Sequence, residues 1–248
     1  WRDRVEAEYV KLLDQGVAWA RELGLYLILD WHSIGNLSEE KFQNRSYITT
    51  VEETHDFWLA MSEHYANEPV VAMYELFNEP TISGHQFGDC SWADWKEMNE
   101  KMIGLIRDHH PKAVILVAGF DWAYDLTPIR DNPIEASSIA YVSHPYPEKR
   151  KEPWEPQWQR DWGYVAEKYP VVLSEIGFAL PHEKGAHMPV RCDERYGKAI
   201  VNFAAERGIS WVVWCFDPDW APFMFNDWNY TPTRQGTFFK EALQTANQ

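Results

Sequence analysis

The sequence is poor in cysteine and in basic residues and has no long hydrophobic run, and each shortage excludes a class of protein. Three cysteines among 248 residues are too few for a disulfide framework. Without a run of about 18 apolar residues, no transmembrane helix is expected. Lysine and arginine total 23 against 38 aspartates and glutamates, which gives a formal net charge of -15. Because no basic patch is present to bind phosphates, we expect neither nucleic acid nor an anionic membrane as a partner.

The cysteines and the first residues add two further expectations. Cys215 lies in an apolar run and is expected to pack as a small hydrophobic side chain. Cys90 and Cys192 lie in polar segments, so a bridge between them is the one pairing to consider, and three free thiols are the alternative. The chain opens with the charged segment 1–4, which does not have the pattern of a signal peptide.

Aromatic residues are what the sequence has in abundance, with 14 tryptophans, 12 tyrosines and 12 phenylalanines. Many of the tryptophans stand in polar segments that have the composition of loops. An exposed indole offers a flat apolar face with one hydrogen-bond donor, which suits the C–H faces of sugars. For any single tryptophan, filling the hydrophobic core is the alternative.

Helical and strand patterns alternate along the whole chain. The spacing of apolar residues predicts helices at 4–23, 46–67, 91–109, 155–168, 193–207 and 234–246, with a short helix or turn at 121–131. Apolar runs predict strands at 26–31, 70–77, 114–117, 139–142, 171–173 and 210–216. Because these strands are continuously apolar, we expect a parallel sheet that is buried on both faces. Since no linker or repeat interrupts the pattern, residues 1–248 are predicted to form a single α/β domain, either doubly wound or a (β/α) barrel.

Polar residues follow most of the predicted strands. They are Asp30-Trp31-His32, Asn78-Glu79, Ser143-His144-Pro145-Tyr146, Ser174-Glu175 and Trp214 with Asp217. Functional residues at the carboxyl ends of many strands are typical of a barrel active site. A doubly wound sheet would instead carry a glycine-rich phosphate loop, and neither G-x-G-x-x-G nor G-x-x-x-x-G-K occurs. The strand ends therefore favour the barrel.

Two of these residues, Glu79 and Glu175, are carboxylates at the ends of apolar strands. A carboxylate in such a place is costly to desolvate unless it is paired or used in chemistry. Glycoside hydrolysis uses two carboxyl groups that flank the scissile bond, one ionised and one protonated. Membership of a structural ion pair is the alternative for each residue alone. The presence of His32 and His144 at equivalent strand ends favours catalysis.

Five motifs resemble the strand ends of one enzyme family. They are Leu-Ile-Leu-Asp-Trp-His at 27–32, Leu-Phe-Asn-Glu-Pro at 76–80, His-Pro-Tyr at 144–146, Leu-Ser-Glu-Ile-Gly at 173–177 and Ser-Trp-Val-Val-Trp at 210–214. The chain resembles glycoside hydrolase family five, the cellulase and mannanase family of retaining (β/α)8 barrels. The motifs resemble strands three, four, six, seven and eight of that family, and the segment 76–80 is the most specific of them.

The resemblance implies a role for each matching residue. Glu79 corresponds to the general acid/base and Glu175 to the nucleophile. A hydrogen bond from Tyr146 would help to keep Glu175 ionised. Asn78 would bind the sugar 2-hydroxyl, and His32 and His144 would orient the sugar and the carboxylates, together with Tyr146. Trp214 would form the platform at the cleaved sugar. The other candidate sugar contacts are Trp31, Trp122 and Trp220, for which loop packing is the alternative.

The match lacks the first two strands of the family, together with the arginine that ends strand two. The expected fold is therefore TIM-barrel-like, with six recognisable β/α units, and truncated or incomplete at its N-terminus. Six strands do not close an eight-stranded barrel in its usual geometry and would leave edges at 26–31 and 210–216. Three interpretations stay open: part of a longer protein, a compact six-stranded variant, or a homo-oligomer that pairs through these edges.

The predicted function is a retaining, endo-acting β-glycoside hydrolase that cleaves β-1,4-linked glucan by double displacement. This mechanism predicts carboxyl groups about 5–5.5 Å apart. The alternatives are a β-mannanase or another β-glycanase, and a carbohydrate-binding protein with impaired turnover. No cofactor and no metal is expected, because His182 and His187 are spaced one residue too far apart for the zinc-binding helix motif. Polysaccharides are too large to enter cells, so we expect a secreted or periplasmic protein.

Overall fold

The computed structural model of the chain describes residues 6–81 and 86–246. Arg4 and Val5, the first residues of the predicted helix 4–23, lie outside that part. Internal contacts divide the chain into two compact units, Trp1–Val117 with Ile134–Ile139 and Ala118–Pro133 with Ala140–Gln248. The prediction of one domain over 1–248 stays a prediction. No helix within residues 6–81 and 86–246 is both long enough and apolar enough to cross a membrane.

The first unit alternates helices with parallel strands. Its elements are α1 (Glu6–Leu23), β1 (Leu27–Asp30), β2 (Ile34–Asn36), β3 (Lys41–Phe42), α2 (Val51–His64), β4 (Val71–Glu75), β5 (Glu79–Pro80), α3 (Trp92–His109) and β6 (Val114–Ala118), whose last residue belongs to the second unit. β4 lies between β1 and β6 and is parallel to both, with Asp30 beside Glu75 and Glu75 beside Leu116. A separate small sheet joins β2 to β3 in antiparallel and to β5 in parallel orientation.

Local capping residues decide where the helices of this unit begin and end. The Thr50 side chain accepts a hydrogen bond from the Glu53 amide at 3.0 Å, so α2 begins at Val51 rather than at the predicted 46. Gly24 has a φ of +68°, a left-handed conformation that glycine adopts without strain, and it ends α1 as the sequence predicts.

Buried aromatic side chains join the helices of the first unit to its strands. Trp58 of α2 is fully buried and donates from Nε1 to the Leu76 carbonyl at 3.1 Å. The hydroxyl of Tyr74, on β4, shares a 2.9 Å hydrogen bond with Nδ1 of His110, and burial lowers the pKa of that histidine. A fully buried large side chain contributes about 1.5–3 kcal/mol through the hydrophobic effect. These contacts therefore fix the position of β4 relative to α2 and α3.

The second unit repeats the same alternation. Its elements are α4 (Phe120–Ala123), β7 (Ile139–Val142), whose first residue belongs to the first unit, α5 (Glu155–Asp161), β8 (Val171–Ile176), α6 (Glu194–Ala205), β9 (Ser210–Val213) and α7 (Arg234–Ala246). β8 lies between β7 and β9 and is parallel to both, with Val142 beside Val172 and Leu173 beside Trp211. The predicted parallel pairing is confirmed. The predicted burial on both faces is wrong for β9, where exposed and half-buried residues alternate.

A cluster of aromatic rings forms the core between α5 and α6. Trp154 and Trp158 stack with ring centroids 5.9 Å apart, and Phe203 of α6 meets Trp158 edge-on at 5.5 Å. The predicted helix 155–168 breaks after Asp161, and residues 163–167 form a 3-10 helix instead. At Gly163 a Cβ atom would lie 2.6 Å from the Phe203 ring, so the chain turns where only glycine fits. These tryptophans fill the core, which is the alternative that the sequence left open.

All three cysteines are free thiols, so the bridge between Cys90 and Cys192 does not form. Burial raises the pKa of each thiol, most strongly for Cys215, whose pKa is raised to about 12. The nearby carboxylates of Asp217 and Glu175 add to this increase. Cys215 is half-buried, and at neutral pH it is a neutral donor rather than a nucleophile.

Candidate active site

In the first unit, the backbone of Glu79 is fixed by the small sheet. The Glu79 amide donates to the Ser33 carbonyl at 3.1 Å, and the Thr81 amide donates to the Gly35 carbonyl at 2.9 Å. One residue earlier, the Asn78 amide donates to the carbonyl of Trp31 at 3.1 Å. The segment after β4 is thereby joined along its length to the segment after β1. This sheet is not predicted from the sequence, because strands of two or three residues have no recognisable periodicity.

Both predicted functional residues of this segment are buried. Asn78 is 2% exposed and Glu79 is 9% exposed. Glu79 is the first residue of β5 and comes shortly after Glu75, the last residue of β4 that pairs with β6. The side chain of Glu79 therefore starts from a main chain whose position is fixed.

His32, also in the first unit, is oriented by a neighbouring carboxylate. Its Nδ1 lies 2.6 Å from Oδ2 of Asp30, two residues earlier at the end of β1. A carboxylate beside Nδ1 favours a proton on that nitrogen and fixes the plane of the ring. His32 is among the residues predicted from the sequence, whereas the orienting role of Asp30 is not. The signal was present in the spacing Asp-x-His at a strand end.

Trp31 packs against α2. Its ring centroid lies 4.3 Å from that of Phe57, and its Nε1 is buried without a hydrogen-bond partner among residues 6–81 and 86–246. This contact is the loop packing given above as the alternative for Trp31. A contact between Trp31 and sugar stays a prediction.

In the second unit, the carboxylate of Glu175 is held by side chains. The Tyr146 hydroxyl donates to Oε2 of Glu175 at 2.8 Å, and Nδ1 of His144 lies 3.7 Å from the same oxygen. Nε2 of His144 shares a 2.9 Å hydrogen bond with the hydroxyl of Ser174. The structure thus brings together three residues that the sequence predicted from two strand ends. A donor that binds the ionised carboxylate stabilises its charge.

The backbone around these side chains is equally well defined. The Ser143 amide donates to Val172 at 3.2 Å, which continues the β7–β8 pairing to the site. The His144 amide donates to the carbonyl of Ala123 at 2.8 Å, and the Tyr146 amide donates to that of His144 at 2.9 Å. His144 is fully buried and Tyr146 is 6% exposed, so neither ring can leave its place without repacking.

The loop after β9 carries Trp214, the predicted platform residue, and Trp220, one of the other candidate sugar contacts. Trp214 and Trp220 meet edge-on with ring centroids 5.2 Å apart, and Trp220 is 49% exposed. The Asp217 side chain accepts a hydrogen bond from the Trp220 amide at 3.1 Å. The Cys215 thiol donates to the Trp220 carbonyl at 2.8 Å, as its high pKa allows. Hydrogen bonds with the side chains of Asp217 and Cys215 thus fix the main chain of Trp220, whose indole is exposed.

Two other predicted features lie elsewhere. Trp122 follows β6 in the four-residue segment α4 and is half-buried. His182 and His187 lie in a segment of turns, where Gly185 has a φ of +77°. Because this segment is not helical, the two histidines do not lie on one face of a helix.

Comparison with known proteins shows the same family throughout. The model of the cellulase family, glycosyl hydrolase family 5, matches residues 2–219. Endoglucanase E-5 of Thermobifida fusca is 26% identical over 214 residues, which are 84% of this chain and 41% of that protein. Endoglucanase A of Evansella cellulosilytica is 27% identical, over 81% of this chain and 37% of its own length. The chain thus spans less than half the length of these curated relatives.

Solved structures are more similar still. The native beta-glucanase SdGluc5_26A of Saccharophagus degradans superposes with a TM-score of 0.97 at 47% identity, over 100% of this chain and 76% of that one. The same enzyme has been solved in complex with cellotetraose. The catalytic domain of the Thermobifida fusca endoglucanase has a TM-score of 0.75 at 22% identity, over 97% of this chain and 77% of its own. The predicted TIM-barrel-like (β/α) fold class is confirmed.

Proposed function

The chain belongs to glycosyl hydrolase family 5, and from that premise we propose that it is a retaining, endo-acting β-glycosidase that cleaves β-1,4-linked glucan. The observation that carries the proposal is the setting of Glu175. Its Oε2 accepts the Tyr146 hydroxyl at 2.8 Å, and His144 lies 3.7 Å from the same atom. A nucleophilic carboxylate has to stay ionised and aimed in one direction, and such donors meet both requirements.

The proposed reaction has two steps. First, a carboxylate oxygen of Glu175 bonds to the anomeric carbon while Glu79 gives its proton to the glycosidic oxygen, and the shortened chain leaves as an alcohol. Next, Glu79 accepts a proton from water, whose oxygen bonds to the anomeric carbon as the bond to Glu175 breaks. The anomeric configuration is retained and both carboxyl groups return to their starting state. The expected carboxyl separation of about 5–5.5 Å stays a prediction for a crystal structure with bound oligosaccharide.

The remaining predicted residues have supporting roles in the proposal. Asn78 binds the 2-hydroxyl of the sugar at the cleaved bond, and His32 orients the same sugar. Trp214 and Trp220 supply indole faces for sugar C–H groups, and indoles of this kind gain from burying apolar area while the N–H still donates. Trp220 is the more accessible of the two.

The proposed substrate class is a neutral β-1,4-glucan. Two relatives are named endoglucanases, and a similar solved enzyme was crystallised with cellotetraose. A net charge of -15 disfavours a polyanionic polysaccharide and is compatible with a neutral one. Because such polymers do not enter cells, the proposal includes action in the periplasm or outside the cell. β-Mannan is the competing substrate.

A reducing-sugar assay on soluble β-1,4-glucan and on β-mannan tests the proposal. We expect product from glucan, and we expect Glu175→Gln and Glu79→Gln each to lower turnover by a factor of about 10² to 10⁴. Glu97→Gln, an exposed glutamate of α3 that pairs with Lys101 at 2.7 Å, is the matched control and keeps wild-type turnover. Binding without product release supports the carbohydrate-binding alternative, and turnover on mannan alone supports a mannanase.

Azide separates the two carboxylate roles. In Glu175→Ala, azide takes the place of the nucleophile on an aryl β-glycoside with a good leaving group and yields an α-glycosyl azide. In Glu79→Ala, azide attacks the glycosyl-enzyme and yields a β-glycosyl azide. The two products have different anomeric proton couplings. The same anomer from both variants contradicts the assignment of the two roles.

We also propose that copies of this chain associate with one another through exposed strand edges. β1 ends the sheet of the first unit, and Leu25 and Tyr26 beside it are 55% and 76% exposed. In the second unit, Val212 of β9 is 44% exposed. Sedimentation of the wild type and of Tyr26→Glu is the test. A monomeric wild type at all concentrations overturns this part of the proposal and leaves the activity proposal intact.

A further inference from the structure

The segment that carries Trp122 has an unusual backbone. Asp121, Trp122 and Ala123 have φ angles of +57°, +54° and +56°. Three consecutive residues with side chains in the left-handed region are uncommon, because Cβ approaches the following carbonyl oxygen there. Such a conformation persists only where surrounding contacts over-determine it, and it is found most often at binding and catalytic sites.

Main-chain contacts hold both ends of this turn. The Phe120 amide donates to the Asp125 carbonyl at 2.9 Å, and the Asp125 amide donates back to Phe120 at 2.8 Å. At its other side, the Ala123 carbonyl accepts the His144 amide at 2.8 Å. The carbonyls of Asp121 and Trp122, in the middle of the turn, receive their donor from a side chain.

That side chain is Lys149, from the segment after β7. Its Nζ donates to the Asp121 carbonyl at 2.6 Å and lies 3.4 Å from the Trp122 carbonyl. The same ammonium lies 5.3 Å from the centroid of the Trp122 ring, within the range of a cation–π interaction. One cation therefore contacts both the backbone of Trp122 and its indole.

The neighbouring Arg150 reaches the same turn at the Asp121 side chain, whose Oδ2 lies 3.4 Å from Nη1 of the arginine, and its other contacts lie in the core. Its Nε donates to Asp161 at 2.9 Å, and its guanidinium lies 4.1 Å from the centroid of the Tyr124 ring. Asp161 and Tyr124 are buried, so Arg150 is tied to the core of the unit. Of the two cations, Lys149 is the one whose contacts converge on Trp122.

We propose that Lys149 is a positioning residue that holds Trp122 as a pre-formed stacking platform for a glucan chain. The inference rests on the proposed function and adds a binding residue and the group that orients it. An indole that is fixed before the sugar arrives loses little rotational freedom on binding, and less binding energy is lost to ordering it. Lys149 itself need not touch the substrate.

The first test measures binding of cellotetraose by calorimetry in Glu175→Gln, where turnover is expected to be strongly lowered. We expect Lys149→Met to raise the Kd for cellotetraose by a factor of about 3 to 10, because it removes a cation–π interaction and the hydrogen bonds of the ammonium group. Lys149→Arg keeps the charge and the donors and is expected to remain within about twofold. The matched control is Lys168→Met, because Lys168 lies 5.3 Å from the Tyr169 ring in the same unit but far along the chain from Trp122.

A double-variant cycle with Trp122→Ala distinguishes positioning from a general structural effect. If Lys149 acts through Trp122, Lys149→Met weakens binding no further once the indole is gone. In the chain with Glu175 intact, Lys149→Met raises KM and leaves kcat within about twofold. Three outcomes overturn the proposal. The first is an unchanged Kd in Lys149→Met, and the second is a Kd in Lys149→Arg as high as that in Lys149→Met. The third is a double variant in which the two increases in Kd multiply. An increase in Kd in Lys168→Met that equals that in Lys149→Met overturns it as well.

Failure of this inference is distinguishable from failure of the proposed function. A wild-type chain that neither hydrolyses glucan nor binds cellotetraose contradicts the proposed function, and with it the inference. A wild-type chain that does both, with Lys149→Met behaving like the wild type, contradicts the inference alone. Melting temperatures of all these variants, the double variant included, identify any loss of folded protein, and Lys149→Arg then carries the test.

Discussion

The hydrogen bonds described in the two units act on different parts of the key glutamates. In the first unit, β5 pairs with β2 and thereby fixes the main chain of Glu79. In the second, Glu175 is held at its carboxylate by the Tyr146 hydroxyl, with His144 close by. A main-chain anchor is indifferent to whether the carboxyl carries a proton. A hydroxyl that donates to the carboxylate favours the ionised form.

This difference matches the roles proposed for the two residues. A general acid/base changes its protonation state twice in each cycle, so its anchor has to work in both states. A nucleophile attacks as an anion, so its surroundings have to favour that charge. The comparison is therefore a hypothesis about mechanism, and variants in each unit test it.

Among the contacts that hold the two glutamates, the largest effect is expected where the side-chain anchor of Glu175 is removed. Tyr146→Phe takes away the donor to Glu175 and is expected to lower kcat by a factor of about 10 to 100, since a hydrogen bond to a charged group contributes roughly 1.5–3 kcal/mol. Tyr169→Phe is the control, because the Tyr169 ring packs on Tyr141 at 5.5 Å in the same unit. Steady-state kinetics on soluble glucan is the measurement. Equal losses in the two variants would refute the side-chain anchor.

The next effect is expected where the main-chain anchor of Glu79 is disturbed. At Gly35 in β2, an added Cβ would lie 2.5 Å from the Lys41 carbonyl oxygen and 2.8 Å from Cα of Phe42. Both are main-chain atoms, so β2 and β3 have to separate. Gly35→Ala is expected to lower the unfolding free energy by about 1–3 kcal/mol, as overpacking does, and to lower kcat as well.

Urea unfolding and kinetics on the same preparation check this prediction. In contrast to Tyr146→Phe, stability and turnover should fall together, because the small sheet is both a structural element and the anchor. A Gly35→Ala variant that loses stability and keeps full kcat would mean that β2 does not position Glu79.

A smaller effect is expected one contact away from Glu175. Ser174→Ala removes the hydrogen bond at Nε2 of His144, 2.9 Å long. An ordinary hydrogen bond contributes about 0.5–1.5 kcal/mol, so kcat should fall by a factor of roughly 2 to 10. If kcat does not change, the orientation of His144 does not depend on Ser174.

The smallest effect is expected in α3 of the first unit, away from either anchor. At Gly104 an added Cβ meets no atom within 4 Å. Gly104→Ala is expected to raise the unfolding free energy by about 0.5–1 kcal/mol, because alanine has less freedom to lose in a helix interior. Turnover should not change. A change in kcat here would show that stability of the first unit by itself controls activity.

Much of the candidate site could be predicted because its residues lie at strand ends that are recognisable in the sequence. His32, Glu79 and His144 each come after an apolar strand, whereas Glu175 lies inside β8, which extends to Ile176 and is longer than the predicted 171–173. The bounds of β7 and of α7 agree with the prediction to the residue. Capping residues such as Thr50 explain the places where a helix begins later than its periodicity indicates.

What could not be predicted depends on residues far apart in the sequence. The sheet β2–β3–β5 consists of strands of two or three residues, too short for any pattern, and it exists because Ser33 and Gly35 accept hydrogen bonds from the segment after β4. The left-handed turn at Asp121 forms where Lys149, from a later segment, donates to its carbonyl. The aromatic core between α5 and α6 likewise determines which tryptophans are removed from solvent.

The order of helices and strands, the parallel pairing and the chemical groups at the strand ends can be read from the amino-acid sequence, because they follow from periodicity and composition over a few residues. The contacts that hold each of these groups depend on the folded chain. Hydrogen bonds such as that between Ser174 and His144 join residues whose separation along the chain carries no local signal, and their geometry arises when packed strands bring the two segments together.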